Sequence, residues 1–301
     1  MTPRPAPGAE RVVAVLNFLA AHPDESFTLS ELARRLDLNK ATCHALLMTL
    51  TESGYLLRHP TRMTYMLGPA LVAIGSAAQG QFQAVDFARE EMRALAEETS
   101  LECIASTVVG QEIVILSRSG APLPFGTTVS LGQRLPLVPP LGSVFMAWAP
   151  PDEIDGWLQR QHSWASEEQL DRYQAALTAV RRRGYAVSLD ADARLQVGQA
   201  LASLGDEGKT QPVRGMLERL LDELSRDDYF LIDIEPEMTY RVNTMGAPVF
   251  GPTGRVELGL FLVGFRGLLG GEDVMEHGER LAQATRNVTK AIHGTEPERS
   301  P

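Results

Sequence analysis

Ala41, Ala45 and Met48 are spaced to share one side of a helix, with Lys40, Thr42 and His44 at its flanks. The group has few hydrogen-bond donors and several small apolar contacts. Such a surface suits the major groove of DNA. There, methyl and thioether groups meet the thymine methyl, while flanking lysine, threonine or histidine groups reach base edges. Four arginines bracket it, Arg34 and Arg35 before and Arg58 and Arg62 after. Guanidinium groups so placed suit phosphate or minor-groove contacts. For each of the four, a solvated surface charge is the alternative.

Those side chains need a scaffold, and the flanking residues describe one. Thr28 and Glu31 have the spacing of a capping box. Leu29, Leu32, Ala33 and Leu36 then repeat at helical period. Asp37-Leu38 makes a tight turn, and Asn39 caps a second helix running from Lys40 to about Ser53. Cys43, Leu46, Leu47 and Leu50 form its apolar side. Gly54 stands where a left-handed cap is wanted. Tyr55-Leu56-Leu57 and Met63-Thr64-Tyr65-Met66 read as strands on either side of a wing, Arg58-His59-Pro60-Thr61-Arg62. Upstream, Val12, Val13, Leu16, Leu19 and Ala20 describe an opening helix. Helix, turn, helix and hairpin in this order and at these lengths give a winged helix-turn-helix. The same small fold can also serve protein contacts without DNA.

The formal net charge of the 301 residues is −10, which runs against DNA binding. The charge is unevenly divided. Residues 1–75 hold seven Lys/Arg and six Asp/Glu, a net +1, so the rest of the chain carries −11. Acid on the larger part discourages unspecific contact with nucleic acid. A near-neutral reader implies modest phosphate affinity per monomer, which two half-sites in a dimer offset. A hydrophobic content of 44% is ample for two folded domains. Cys43 and Cys103 are too few for a disulfide framework or a metal cage, and both read as core thiols. Met1–Glu10 lacks the apolar run of a signal peptide. The apolar stretch Leu258–Phe265 is too short for a membrane span. The expected location is the cytoplasm, with no membrane partner.

Past Gly68-Pro69, the segment Pro69–Gln79 reads as an apolar, small-residue helix and Asp86–Thr99 as another. Together they form a connector that either pairs with its twin in a dimer or packs on its own domain. From Leu101 the pattern turns to strands. Ile104–Val109 and Ile113–Arg118 flank a Gly110-Gln111 turn, and Gly126–Leu131 is a further candidate. A short helix over Ser143–Ala149, a long one over Glu167–Arg183 and a strand Tyr185–Ser188 follow. Tyr240–Phe250 and Arg255–Phe265 are two strong strands joined by a turn. The second is apolar on both faces and therefore central. Glu272–Ile292 is a closing helix. The fold class is α+β: an N-terminal winged helix-turn-helix joined by a helical linker to a mixed α/β domain built on a mostly antiparallel sheet. Such a sheet can cup a small molecule.

The order of these parts resembles the IclR family of bacterial transcriptional regulators. The likeness is carried by Leu29-Ser30-Glu31-Leu32-Ala33, by Lys40-Ala41-Thr42-Cys43-His44-Ala45-Leu46-Leu47, and by Leu50, Gly54-Tyr55 and Tyr65-Met66-Leu67-Gly68. It returns at Leu135-Pro136-Leu137, Arg183-Gly184-Tyr185-Ala186-Val187 and Gly246-Ala247-Pro248-Val249-Phe250. The resemblance implies a GAF-like effector-binding domain, homodimers or dimers of dimers, and a small organic effector that modulates binding to a double-stranded operator. The expected divisions are a tail at 1–10, the reader at 11–68, a linker helix at 69–85, the effector domain at 86–293 and a tail at 294–301. The effector site expected from the resemblance holds Cys103, Leu137, Pro140, Leu141, Gly142, Val144, Asp190, Asp192 and Met245.

The chain departs from the family at Ala45, where an arginine is usual. It also departs at Val138, Pro139, Pro140 and Leu141, which replace polar residues, and at Val144, which replaces a lysine. A pocket lined this way suits an apolar or aromatic effector; that these residues are simply core is an equal alternative. Gly205–Asp228 reads as an insertion with one apolar stripe, covering the pocket, making an oligomer contact or packing on its own domain.

These features describe a sequence-specific, effector-controlled DNA-binding regulator of transcription, a repressor in preference to an activator. The alternative is a protein-interaction adaptor that uses the winged fold without DNA. An enzyme is not expected, since His162, His277 and His293 fall in no triad or metal spacing. The glycines of 267–271 lack the strand-then-helix setting of a phosphate loop. No cofactor or metal is expected.

Overall fold

A computed structural model describes residues 6–79, 83–121, 130–160, 166–189 and 229–298. Asp190, Asp192, the insertion at 205–228 and most of the strand expected over 126–131 lie outside them. Two compact units divide the chain: among the described residues the first holds everything up to the helix at 70–79 together with Ser130–Gln133, and the second begins with the helix at 83–99.

The first unit runs α1 (Pro7–Ala21), β1 (Phe27–Thr28), α2 (Leu29–Arg35), α3 (Lys40–Glu52), β2 (Leu56–Arg58), β3 (Thr64–Leu67) and α4 (Ala70–Gln79). Its three strands are antiparallel in the order β1-β3-β2. One small core holds it together: Val15, Phe18 and Leu19 from α1, Leu32 from α2, Cys43, Leu47 and Leu50 from α3, and Leu56 and Tyr65 from the hairpin. Full burial of each large side chain contributes ~1.5–3 kcal/mol. Two expectations for α1 change. The helix starts at Pro7, inside the expected tail, because proline at a first helical position gives up an N–H that has no partner there anyway. Its inner side is Val15, Phe18 and Leu19, whereas Val13 is 52% exposed. Phe18 fixes that rotation by meeting Phe27 edge-on at 4.9 Å.

The second unit runs α5 (Gln83–Thr99), β4 (Glu102–Val109), β5 (Glu112–Ser119), β6 (Arg134–Pro136), α6 (Ser143–Met146), α7 (Pro151–Gln159), α8 (Glu167–Arg183), β7 (Ala186–Leu189), β8 (Thr239–Tyr240), β9 (Val242–Phe250), β10 (Val256–Val263), β11 (Leu269–Gly270) and α9 (Gly271–Ala291). Six strands form an antiparallel sheet, β6-β5-β4-β10-β9-β7. β10 is central, as its doubly apolar pattern requires. Leu258, Leu260 and Leu262 join the core under α5 and α9, and Phe261 joins the core formed with α6, α7 and α8.

The edge strand β6 lies at Arg134–Pro136, and Ser130 and Leu131 of the expected strand are not in a strand. Leu135 pairs there with Ile113 and places an apolar side chain in the second core. α6 ends earlier than expected because Pro150 disfavours helix before it. Pro151-Asp152-Glu153 then opens α7, a start signal the apolar periodicity does not show.

Candidate nucleic-acid interface and effector face

The reader helix is fixed at both ends by local chemistry. In α2 the Glu31 carboxylate accepts the Thr28 backbone N–H at 2.7 Å, and the Thr28 hydroxyl accepts the Glu31 N–H at 3.3 Å. The backbone and side-chain hydrogen bonds from Thr28 hold the Glu31 carboxyl below its ordinary range. Asp37 takes φ +50°, and the Leu38 N–H bonds to Ala33 O at 2.8 Å, closing the turn. Asn39 caps α3 by accepting the Thr42 N–H at 2.8 Å. Gly54 ends the segment at φ +73°, a conformation costly for any residue with a Cβ.

Within that frame Cys43, Leu47 and Leu50 are buried, and Lys40, Ala41, His44, Ala45 and Met48 are exposed, Met48 at 49%. Thr42 and Leu46 are half-buried. The sole carboxylate of α3 is Glu52, in its last turn. The wing is tied to itself: His59 Nδ1 accepts the backbone N–H groups of Thr61 and Arg62 at 3.2 and 3.1 Å. That leaves Arg62 at an exposed tip.

The four arginines divide. Arg34 and Arg62 are exposed. Arg58 is exposed with its guanidinium 5.6 Å from the Tyr65 ring centroid. Arg35 is half-buried over Phe27 at 4.8 Å and Phe18 at 5.7 Å. Its place is on the aromatic edge of the core, a cation–π support for the reader rather than an outward contact.

The expected effector residues do not come together. Cys103 and Met245 are fully buried on the sheet face under α5 and α9. Leu137 and Val144 belong to the core of the opposite face, and Pro140 is buried too. Cys103 and Met245 are therefore corrected: both are opposite Leu262, and strand alternation turns all three away from α6. Burial pushes the Cys103 thiol up to about 12, and also raises that of Cys43. Leu141 and Gly142 are half-buried in a loop pinned from behind. The Trp157 indole donates to Leu141 O at 2.9 Å, and Arg160 donates to Leu137 O at 2.6 Å.

The face towards α6 carries a different set. One row across it is Arg118, Ile104, Phe261, Gly246 and Ala186, and the next is Glu102, Val263, Thr244 and Ser188. Gly246 is required here, since a Cβ would lie 2.6 Å from the Phe261 ring and 2.8 Å from Val144. Glu102 is 4% exposed and accepts Arg118 Nε at 2.5 Å. At the other end Asn243 donates to the Ser188 hydroxyl, which donates to Thr244 O, both at 3.3 Å. Phe261 and Val263 are half-buried. The face thus offers aromatic and aliphatic surface beside a neutralised ion pair and hydroxyls.

Residues 8–60 match the model of the IclR helix-turn-helix domain, and residues 79–194 match that of the bacterial transcriptional regulator IclR C-terminal domain. The chain belongs to the IclR family. As an IclR protein it is a DNA-binding transcriptional regulator, not an enzyme. It is 26% identical to the HTH-type transcriptional regulator XynR of Escherichia coli K12 over 186 residues, 59% of this chain and 72% of that one. Against KdgR of the same organism it is 24% identical over 180 residues, 58% and 68% of the two chains. An IclR transcriptional regulator from Alicyclobacillus acidocaldarius shares the fold at a TM-score of 0.68 and 22% identity, covering 97% of this chain and 100% of that one. An IclR homologue from Microbacterium hydrocarbonoxydans, crystallised with 4-hydroxybenzoate, does so at 0.62 and 16%, covering 95% and 98%.

For this IclR chain, sequence reasoning did not single out Glu102, Arg118, Ser188, Thr244 and Phe261, which share the face towards α6. One signal was available: a glutamate opening an otherwise apolar strand needs a buried partner. Among the described residues no three His, Cys, Asp or Glu are grouped to hold a metal, and no helix is long and apolar enough to cross a membrane.

Proposed function

We propose that this IclR chain represses transcription by seating α3 in the major groove of an operator, and that a small organic effector on the Phe261 face alters that seating. The observation that carries the reading is the two-sidedness of α3. Cys43, Leu47 and Leu50 anchor one side, while Ala41, His44, Ala45 and Met48 stand exposed with no carboxylate before Glu52 to repel phosphates. Thymine-methyl contact by Ala41, Ala45 and Met48 then supplies base preference, with Lys40, Thr42 and His44 at the flanks. Arg34, Arg58 and Arg62 take backbone contacts; Arg35 holds the aromatic support beneath them. Two readers compensate for near-neutral charge, and Val72 (75% exposed) and Ile74 (47%) of α4 offer apolar surface to a second copy. Ile104, Phe261 and Val263 suit an apolar or aromatic effector body, and the Glu102–Arg118 pair, Ser188 and Thr244 suit its polar end. An effector that favours one reader spacing shifts the operator equilibrium by its differential affinity.

Gel-shift and footprinting on DNA upstream of the chain's own gene, at several salt concentrations, test this. Steep salt dependence, a palindromic footprint and release by an aromatic metabolite are expected. Failure to shift any genomic fragment would leave the winged fold as a protein-contact module.

A further inference from the structure

The second unit contains a cavity of about 530 Å³ between the end of α8, residues 232–234 and α9. That volume falls within the ~300–1,000 Å³ usual for small-molecule sites. It is not the Phe261 face: Tyr185 and Ala282, which line it, belong to the core under α5 and α9. Arg182, Arg183 and Arg286 make its wall cationic, and Ile232, Ile234 and Met275 make it apolar.

Two groups in it are built to receive a ligand. The Arg183 guanidinium is held in place by donating to Tyr185 O at 2.8 Å, Ile232 O at 3.0 Å and Leu231 O at 2.6 Å. Burial brings its pKa down to about 10, while Tyr185 and Asp233 nearby act to raise it. Tyr185 is 4% exposed and lines the cavity. Burial raises the pKa of that phenol, so it stays neutral and able to donate.

Charge narrows the ligand. Glu279 lines the cavity and Asp233 pairs with Arg182 at 2.7 Å, so three guanidinium groups face two carboxylates. The excess of one positive charge suits a monoanion; a dianion would also meet Glu279. We propose a second small-molecule site here, for an aliphatic or aromatic monocarboxylate. Its carboxylate sits on Arg182, Arg183, Arg286 and the Tyr185 hydroxyl, and its body lies on Ile232, Ile234 and Met275.

Calorimetric titration of the full chain with benzoate, with benzamide as the neutral counterpart and with inorganic phosphate, tests the site. Benzoate binding should survive Phe261→Ala and weaken about tenfold or more in the Arg182→Ala/Arg286→Ala double variant, with a smaller loss in Tyr185→Phe. Benzamide and phosphate should each bind about tenfold or more weaker than benzoate. Should the double variant melt well below wild type, Arg286→Gln alone carries the same expectation. The site is overturned if benzoate gives no heat up to about 10 mM. It is equally overturned if benzoate is lost with Phe261→Ala alone, is indifferent to the arginine variants, or is matched by benzamide.

Discussion

Met48→Ala and Arg62→Ala, made singly, should weaken operator binding in two distinguishable ways. Arg62 stands exposed at a wing tip whose backbone is held by His59. If it meets a phosphate, each half-site loses one counterion-releasing contact. The slope of log K against log salt then falls in magnitude by about 0.9 per half-site, about 1.8 for a dimer, equally on every sequence. Met48 is uncharged and half its surface is available, 49%. Contact with one thymine methyl is worth ~1 kcal/mol, about fivefold per half-site and about 25-fold for a palindrome, with no change in salt slope. Fluorescence anisotropy on operators carrying single thymine-to-uracil changes reads this directly, because uracil removes only the methyl. At the contacted position uracil should cost wild type about fivefold and cost Met48→Ala nothing. The reasoning is refuted if uracil costs both proteins the same at every position, or if Met48→Ala lowers the salt slope as Arg62→Ala does.

Leu47→Ala, emptying a fully buried site in the small core, should destabilise the first unit by ~2–5 kcal/mol while leaving a second calorimetric transition in place; a loss below ~1 kcal/mol would contradict its anchoring role. Thr28→Ala should cost ~0.5–2 kcal/mol near neutral pH. The lowered Glu31 carboxyl stabilises above its unfolded pKa and stops doing so as pH falls through its folded value. The gap between variant and wild type, followed by denaturant melts, should therefore narrow in acid; a constant gap would refute the capping box. Both thiols are buried with raised pKa, Cys103 to about 12, so native protein should resist iodoacetamide at neutral pH and denatured protein should take up two equivalents. Rapid native labelling of Cys103 would show that its side of the sheet is open.

The reader was legible because its signals are local. Thr28 with Glu31, Asn39 and Gly54 mark ends, and Cys43, Leu47 and Leu50 mark one side. α1 was less so: Val12, Val13, Val15, Leu16, Phe18 and Leu19 are apolar nearly all round, and only contact with Phe27 selects the inner stripe. Arg35 looked like its neighbour Arg34, and two aromatic rings from other elements separate them. The proposed effector face was hidden for a related reason. Cys103 and Ile104 are adjacent apolar residues on a doubly covered strand, so composition cannot say which one faces α6. Glu102 and Arg118 meet across the pairing of β4 and β5.

Photocrosslinking from position 48 asks most directly whether the exposed side of α3 lies against base pairs. With p-benzoylphenylalanine at Met48 in the full chain, irradiation on operator DNA should link the protein to bases at the position where uracil weakens binding. The same group at exposed Phe87, in the second unit, should link to none. Crosslinks from position 48 to another protein chain, with no DNA adduct, would contradict the placement of α3 and the regulatory mechanism built on it.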